Sequence, residues 1–217
     1  MSQSSSIKAL FLDIGGVFLT NGWGHHSRRR AAERFGLDFT EFNERHLILF
    51  DAYESGKMSL AEYLELLVFY QETKFTMDEF QQFMLGESKP YPEMMKLISN
   101  IKNQYGLRTV AVNNEGREIN EYRIKEYSLS TFIDIFASSC YVQTRKPDKD
   151  IFLFALNLAQ VQPEEVVYID DRLVFIQAAR KLGLNGIHHT TVTNTANALA
   201  LFGLYYRTSM EQSLSIK

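Results

Sequence analysis

A single cysteine, Cys140, stands in 217 residues, so no intrachain disulfide is available and a reducing compartment, the cytoplasm, is the expected setting. Lys plus Arg number 23 against 26 Asp plus Glu, a formal net charge of −3. The lack of a basic surplus argues against a nucleic-acid or anionic-membrane footprint and leaves a small molecule as the expected partner. No membrane span is expected either, because the apolar run near the amino terminus is short and is broken by Asp13. Gly22 and Gly24 lack a third glycine at the dinucleotide-binding spacing, which makes a nucleotide cofactor a poor reading. Internal repeats are absent, and low complexity is confined to the Ser-rich residues 1–6; both chain ends are expected to fray.

What is present is an ordinary globular composition, 45% hydrophobic and 23% charged, which excludes disordered, fibrous and collagen-like chains. At about 150 residues per domain the length suits one domain plus an insertion, as a monomer or homodimer. Short apolar runs (IKALFLD, LRTVAVNN, IDIFASS, EVVYIDD, NGIHHT) alternate with amphipathic stretches, the pattern of a parallel α/β sheet. Helices are expected near 91–105, 116–127, 149–158, 172–182 and 194–202, with Gly106 and Gly183 as carboxyl-terminal caps. Residues 20–88 contain no strand pattern and read as three or four helices closed by Gly36, Gly56 and Gly86, with Ser59 and Glu62 forming a capping box. The expected architecture is therefore a Rossmann-like core, residues 1–19 and 89–217, carrying a helical cap, residues 20–88.

Ligands of open parallel sheets bind beyond the carboxyl ends of the strands. The polar residues there are Asp13-Ile14-Gly15-Gly16, Asn113-Asn114-Glu115-Gly116, Thr144-Arg145-Lys146-Pro147 and Asp170-Asp171. Three acids and a lysine at the mouths of one sheet suit a divalent cation together with an anionic group, since Mg²⁺ takes carboxylate and phosphate oxygens.

In this order and spacing LFLDIGGV, TVAVNN, RKPD and VVYIDDR resemble the four motifs of the haloacid dehalogenase-like (HAD) hydrolases, in particular the capped phosphatases with a helical insert between the first two motifs. The resemblance covers nearly the whole chain. It implies that Asp13 attacks phosphorus to form an aspartyl-phosphate and also binds Mg²⁺, and that Lys146 neutralises charge between nucleophile and phosphate. It further implies that Asp170 and Asp171 hold the metal, with the Gly15 carbonyl as another ligand. Backbone amides of Ile14, Gly15 and Asn114 are the expected anion cradle. The substrate is then a small phosphorylated metabolite such as a sugar phosphate, enclosed by the cap.

Three positions depart from that pattern. Gly15 stands where the family carries its general acid/base aspartate, a loss that typically costs about 10²- to 10⁴-fold in rate. Asn113 replaces a Ser or Thr that donates to phosphate, and Phe175 replaces a polar residue supporting the metal. Substitutes for the acid/base are His25, His26, Glu115 or the substrate itself, and Trp23 is a candidate pocket wall. Two alternatives stand beside the phosphatase: a non-catalytic phosphate-binding or interaction protein, and a metal-independent dehalogenase, whose branch of the family also lacks the aspartate. Arg28, Arg29 and Arg30 read as a solvated helix face, Arg145 as a surface residue, and Cys140 as packing.

Overall fold

The computed structural model describes residues 6–206; the expectations for the serine-rich start, save residue 6, and for the tail from residue 207 lie outside the described residues. Five strands, β1 (Ala9–Leu12), β2 (Arg108–Ala111), β3 (Ile135–Phe136), β4 (Val166–Asp170) and β5 (Asn185–His188), form one parallel sheet ordered β3-β2-β1-β4-β5. Leu10 is level with Thr109 on one side and Val167 on the other. Both faces of the sheet are covered, which is why its middle strand, β1, is continuously apolar and buried. Leu10 and Leu12 join one core cluster while Ala9 and Phe11 join the opposite one, the period-two alternation of a strand.

The first face is covered by α5 (Pro92–Tyr105), through Met94, Leu97, Ile98 and Ile101, and by α10 (Val192–Ala200), through Leu199. The second is covered by α8 (Lys149–Ala159) and α9 (Leu173–Lys181), through Ile151, Phe152, Ala155, Ile176 and Ala179. Between β2 and β3 runs α6 (Arg117–Glu126), and a single turn, α7 (Ser139–Val142), follows β3. The expected strand at IDIFASS is shorter than its apolar run: Ala137 still donates to Ala111, but Ser138 already opens the α7 turn.

The segment between β1 and α5 holds four helices, α1 (His25–Phe35), α2 (Phe39–Glu54), α3 (Leu60–Leu67) and α4 (Met77–Gly86). They bury a third apolar cluster that includes Trp23, Phe42, Tyr63, Leu64 and Phe80. The Ser59–Glu62 capping box forms, and Thr76 with Glu79 makes a second one. Gly36 and Gly106 are left-handed caps as expected, whereas Gly86 is the last helical residue of α4 and has no positive φ. Helix α3 stops at Leu67, short of the VFYQE run, because Val68 and Phe69 turn inward, both donating to the Leu64 carbonyl. The chain enters this helical segment at Leu19–Thr20 and leaves it at Lys89–Pro90, and the two crossings are bonded side by side: Thr20 N–H donates to Lys89 O at 2.8 Å. Among the described residues no helix is long and apolar enough to cross a membrane.

Candidate active site

Strand β1 is flanked by β2 on one side and β4 on the other, so its carboxyl end lies where the chain's crossovers diverge, the usual ligand position in such sheets. Asp13 follows β1 directly, the Asn113-Asn114-Glu115 turn follows β2, and Asp170 ends β4. Lys146 arrives from the loop after α7. Asn114 fixes that loop by a two-way amide clamp, accepting from Lys146 N–H at 2.8 Å and donating to Lys146 O at 2.9 Å.

The Lys146 ammonium is buried between two carboxylates, 2.9 Å from Asp13 Oδ1 and 2.7 Å from Asp170 Oδ2. Burial alone depresses an ammonium, but the charges of Asp13 and Asp170 outweigh it and raise the Lys146 pKa. Asp13 is pushed up to about 7, first by burial and further by Asp170 and Asp171, against the opposing pull of Lys146. Phe175 lies under the ammonium, with its ring centre 4.9 Å from Nζ. The departure from the family pattern at 175 thus gives Lys146 a cation–π partner in place of a polar support.

Oxygens of Asp13, Asp170 and Asp171 all lie within 4.8 Å of one another. With all three ionised, three negative charges against one ammonium leave two, which suits a divalent cation. Asp170 Oδ2 accepts from Lys146 and from the Tyr168 hydroxyl, and Oδ1 accepts from Arg172 N–H, which leaves Oδ1 a lone pair. Asp171 is less engaged, since Asn21 donates to its Oδ2 at 3.2 Å while Oδ1 is buried with no partner. A buried anionic oxygen without a donor is costly, and a cation would satisfy it, so this donor set fits Mg²⁺. Gly16 makes the approach possible: its φ is +76° and a Cβ there would lie 2.2 Å from Asp171 Oδ2.

Asp13, Gly15, Asn113, Asn114, Glu115, Lys146, Trp23 and His25 line one cleft of about 290 Å³. Of the remaining sequence candidates, Ile14 buries its side chain in the core, Asp170 lies fully buried below Lys146, and His26 faces a neighbouring hollow instead. Asn113 braces the turn from within, one amide N–H donating to Asn120 Oδ1 and its oxygen accepting from Ser138. Trp23 is both wall and core, its indole N–H donating to Tyr63 Oη at 3.0 Å.

Helices α1 and α2 supply the opposite wall. Arg28 corrects the solvated-face expectation: it is buried, with N–H groups on Trp23 O and Asn43 Oδ1, while Arg30 pairs with Glu87 at the surface. Arg145 is likewise no free surface residue, since it bridges Asp51 and Glu54 of α2 and lies over Phe50. His46, unremarked in the sequence, meets Tyr63 Oη at 2.7 Å through Nδ1; burial, then Arg28 and Arg145, lower its pKa to about 3, so it is neutral. Glu54 is raised by burial against the pull of Arg145, and Glu115 is raised to about 7 by burial against Arg123. Cys140 is buried in the core, as expected, its thiol pushed up to about 12 by burial.

A family model described as haloacid dehalogenase-like hydrolase matches residues 7–183. A phosphorylated carbohydrates phosphatase of Thermotoga maritima is 26% identical over 213 residues, 97% of this chain and 98% of that protein. A fructose-1-phosphate phosphatase of Escherichia coli is 29% identical over 108 residues, 49% of this chain and 55% of that one. Among solved structures, a HAD family enzyme of Bacteroides thetaiotaomicron, in complex with magnesium and inorganic phosphate, superposes with a TM-score of 0.69 at 16% identity, over 85% of this chain and 95% of that one.

Proposed function

The chain belongs to the haloacid dehalogenase-like hydrolase family, and from that premise we propose that it is a Mg²⁺-dependent phosphatase of a small phosphorylated carbohydrate, with Asp13 as nucleophile. The observation that carries this reading is Lys146 Nζ held between Asp13 and Asp170 at the carboxyl end of the sheet. Such an ammonium restrains the Asp13 carboxylate in one orientation and offers positive charge to an arriving phosphoryl group. The near-full-length likeness to a phosphatase of phosphorylated carbohydrates supports the substrate class, and the magnesium and phosphate of the Bacteroides enzyme support the ion.

Asp13 Oδ attacks phosphorus, the bond to the leaving oxygen breaks, and the phosphoryl group is carried on Asp13 until water releases it. Asp13, Asp170, Asp171 and the Gly15 carbonyl are the groups that would hold Mg²⁺, which when bound offsets repulsion between phosphate and carboxylates and favours ionised Asp13. Lys146 neutralises the equatorial oxygens. The four helices of residues 25–86 act as the cap: the paired crossings at Thr20 and Lys89 form its hinge, and Arg28, Trp23 and the Arg145–Glu54 pair meet the leaving group. Charged donors and acceptors beside an aromatic wall suit a polyol rather than an apolar alcohol. The test is phosphate release from hexose, pentose and glycerol phosphates, nucleoside monophosphates and p-nitrophenyl phosphate, with Mg²⁺ and with chelator. The expected result is Mg²⁺-dependent release strongest among sugar phosphates; release at background throughout would overturn the reading.

A further inference from the structure

The phosphatase reading leaves a proton unassigned, because an alkoxide leaves poorly and no carboxylate stands at position 15. A Cβ built on Gly15 would meet Asn21 Oδ1 at 3.2 Å and Arg123 Nη1 at 3.9 Å. The space above Gly15 is therefore bounded by a guanidinium, and the same Nη1 is paired with Glu115 Oε2 in the cleft wall. We infer that Glu115, held by Arg123, is the proton donor and acceptor that replaces the carboxylate absent at position 15; this rests on the phosphatase reading.

Several observations show a held device rather than an incidental ion pair. Arg123 is 2% exposed, its Nε donates to Ser88 Oγ at 3.0 Å, and Nη2 is buried without a partner. The chain makes room for it at Gly22, where φ is +56° and a Cβ would lie 1.7 Å from Nη2. Glu115 is fixed in turn through its backbone N–H, which donates to Ser139 Oγ at 3.0 Å. Burying both ions is expensive and apolar replacements of such pairs are often as stable, so stability alone does not account for the pair.

Other candidates are committed elsewhere. His46 is neutral and its Nδ1 is engaged by Tyr63, and Glu54 is bonded to Arg145 on the opposite wall. His25 packs against His26 and Phe39 at the exposed start of α1. The groups facing Glu115 are Arg123 of α6, Tyr53 and Glu54 of α2, Tyr63 of α3 and Cys140 of α7. Burial among them keeps its carboxyl near neutrality, matched to giving and taking a proton.

In the first step Asp13 Oδ bonds to phosphorus, the bond to the leaving oxygen breaks, and the Glu115 proton passes to that oxygen. In the second, water gives a proton to the Glu115 carboxylate as its oxygen bonds to phosphorus, and the Asp13–phosphorus link breaks to release phosphate. Together the two steps leave the enzyme as it began.

The experiment compares wild type and Glu115→Gln on a hexose phosphate and on p-nitrophenyl phosphate, whose leaving group needs no proton. The variant is expected to lose about 10²- to 10⁴-fold in turnover of the hexose phosphate. On the aryl ester it should give a rapid stoichiometric burst of nitrophenol followed by slow turnover, because only the second step then needs Glu115. If Glu115→Gln does not fold, Glu115→Gln with Arg123→Met, which buries no unpaired charge, is read in the same assay. Equal fractional losses on both esters without a burst, or hexose phosphate turnover within about threefold of wild type, would overturn the assignment. Wild type without Mg²⁺-dependent release on either ester would instead overturn the phosphatase reading, and this inference with it.

Discussion

Gly22 and Gly106 share nearly the same backbone conformation, φ +56° and +63°, in opposite surroundings. A Cβ at Gly106 meets nothing within 4 Å, whereas one at Gly22 would lie 1.7 Å from Arg123 Nη2 and 3.0 Å from Arg123 Cζ. Alanine at either position incurs the left-handed penalty, about 1–2 kcal/mol. At Gly22 it must also displace a guanidinium that Ser88 and Glu115 hold in place, and above about pH 7, where Glu115 is ionised and the unfolding is to be followed, breaking that buried ion pair costs about 3–5 kcal/mol. The sum for Gly22→Ala, about 4–7 kcal/mol, is a large part of the about 5–15 kcal/mol that holds a domain folded. At about 2–4 °C per kcal/mol for a chain of this size, thermal unfolding followed by circular dichroism should shift down by about 5 °C for Gly106→Ala and about 15 °C for Gly22→Ala. At a temperature where both are folded, Mg²⁺-dependent turnover should fall in Gly22→Ala alone. Equal shifts, agreeing within about 3 °C, would refute the claim that the Asn21-Gly22 turn is built around the Arg123–Glu115 pair.

Two further outcomes follow from the charges. Mg²⁺ at about 100 times its dissociation constant should add about 2.7 kcal/mol and raise the unfolding temperature by about 5–10 °C; Asp171→Asn, which removes the carboxylate bearing the unpartnered oxygen, should lose most of that rise. Glu115 is raised from its usual 4.5 to about 7, so the folded state holds a proton that the unfolded state has released. Its contribution to stability is complete below about pH 4.5 and is lost as pH climbs through about 7, a change of about 3 kcal/mol. Urea unfolding of the metal-free protein at pH 5 and pH 8 should therefore show wild type losing stability relative to Glu115→Gln at the higher pH; a gap that does not move with pH would contradict the burial of Glu115.

Much of this was legible before the fold was seen, for physical reasons. The strands flanking the site are short apolar runs that end abruptly in polar residues, so the chemistry at their ends is marked by position. The helices carry their own punctuation, as at Ser59 and Glu62. What could not be read is what depends on docking. Arg123 and Asn120 lie three apart on one face of α6, and only packing of α6 against the Asn113 turn and Ser88 turns that face into the site wall. Tyr168 and Asp170 lie two apart in β4 and so point the same way, a signal present in the sequence but indistinguishable there from core packing. Arg28 and Arg145 look like solvent-facing charges until α1 and α2 fold over the sheet. Phe175 reads as a missing polar group by resemblance, and its ring becomes meaningful only beneath the Lys146 ammonium.

The central claim is that the Asp13 carboxylate is the nucleophile for phosphoryl transfer. Its most direct test is phosphate released per enzyme from the best sugar phosphate in Mg²⁺, for wild type and for Asp13→Asn shown to be folded by circular dichroism. The expected loss is about 10³-fold or more, as when a covalent nucleophile is removed. Asp13→Asn retaining the wild-type rate would contradict it.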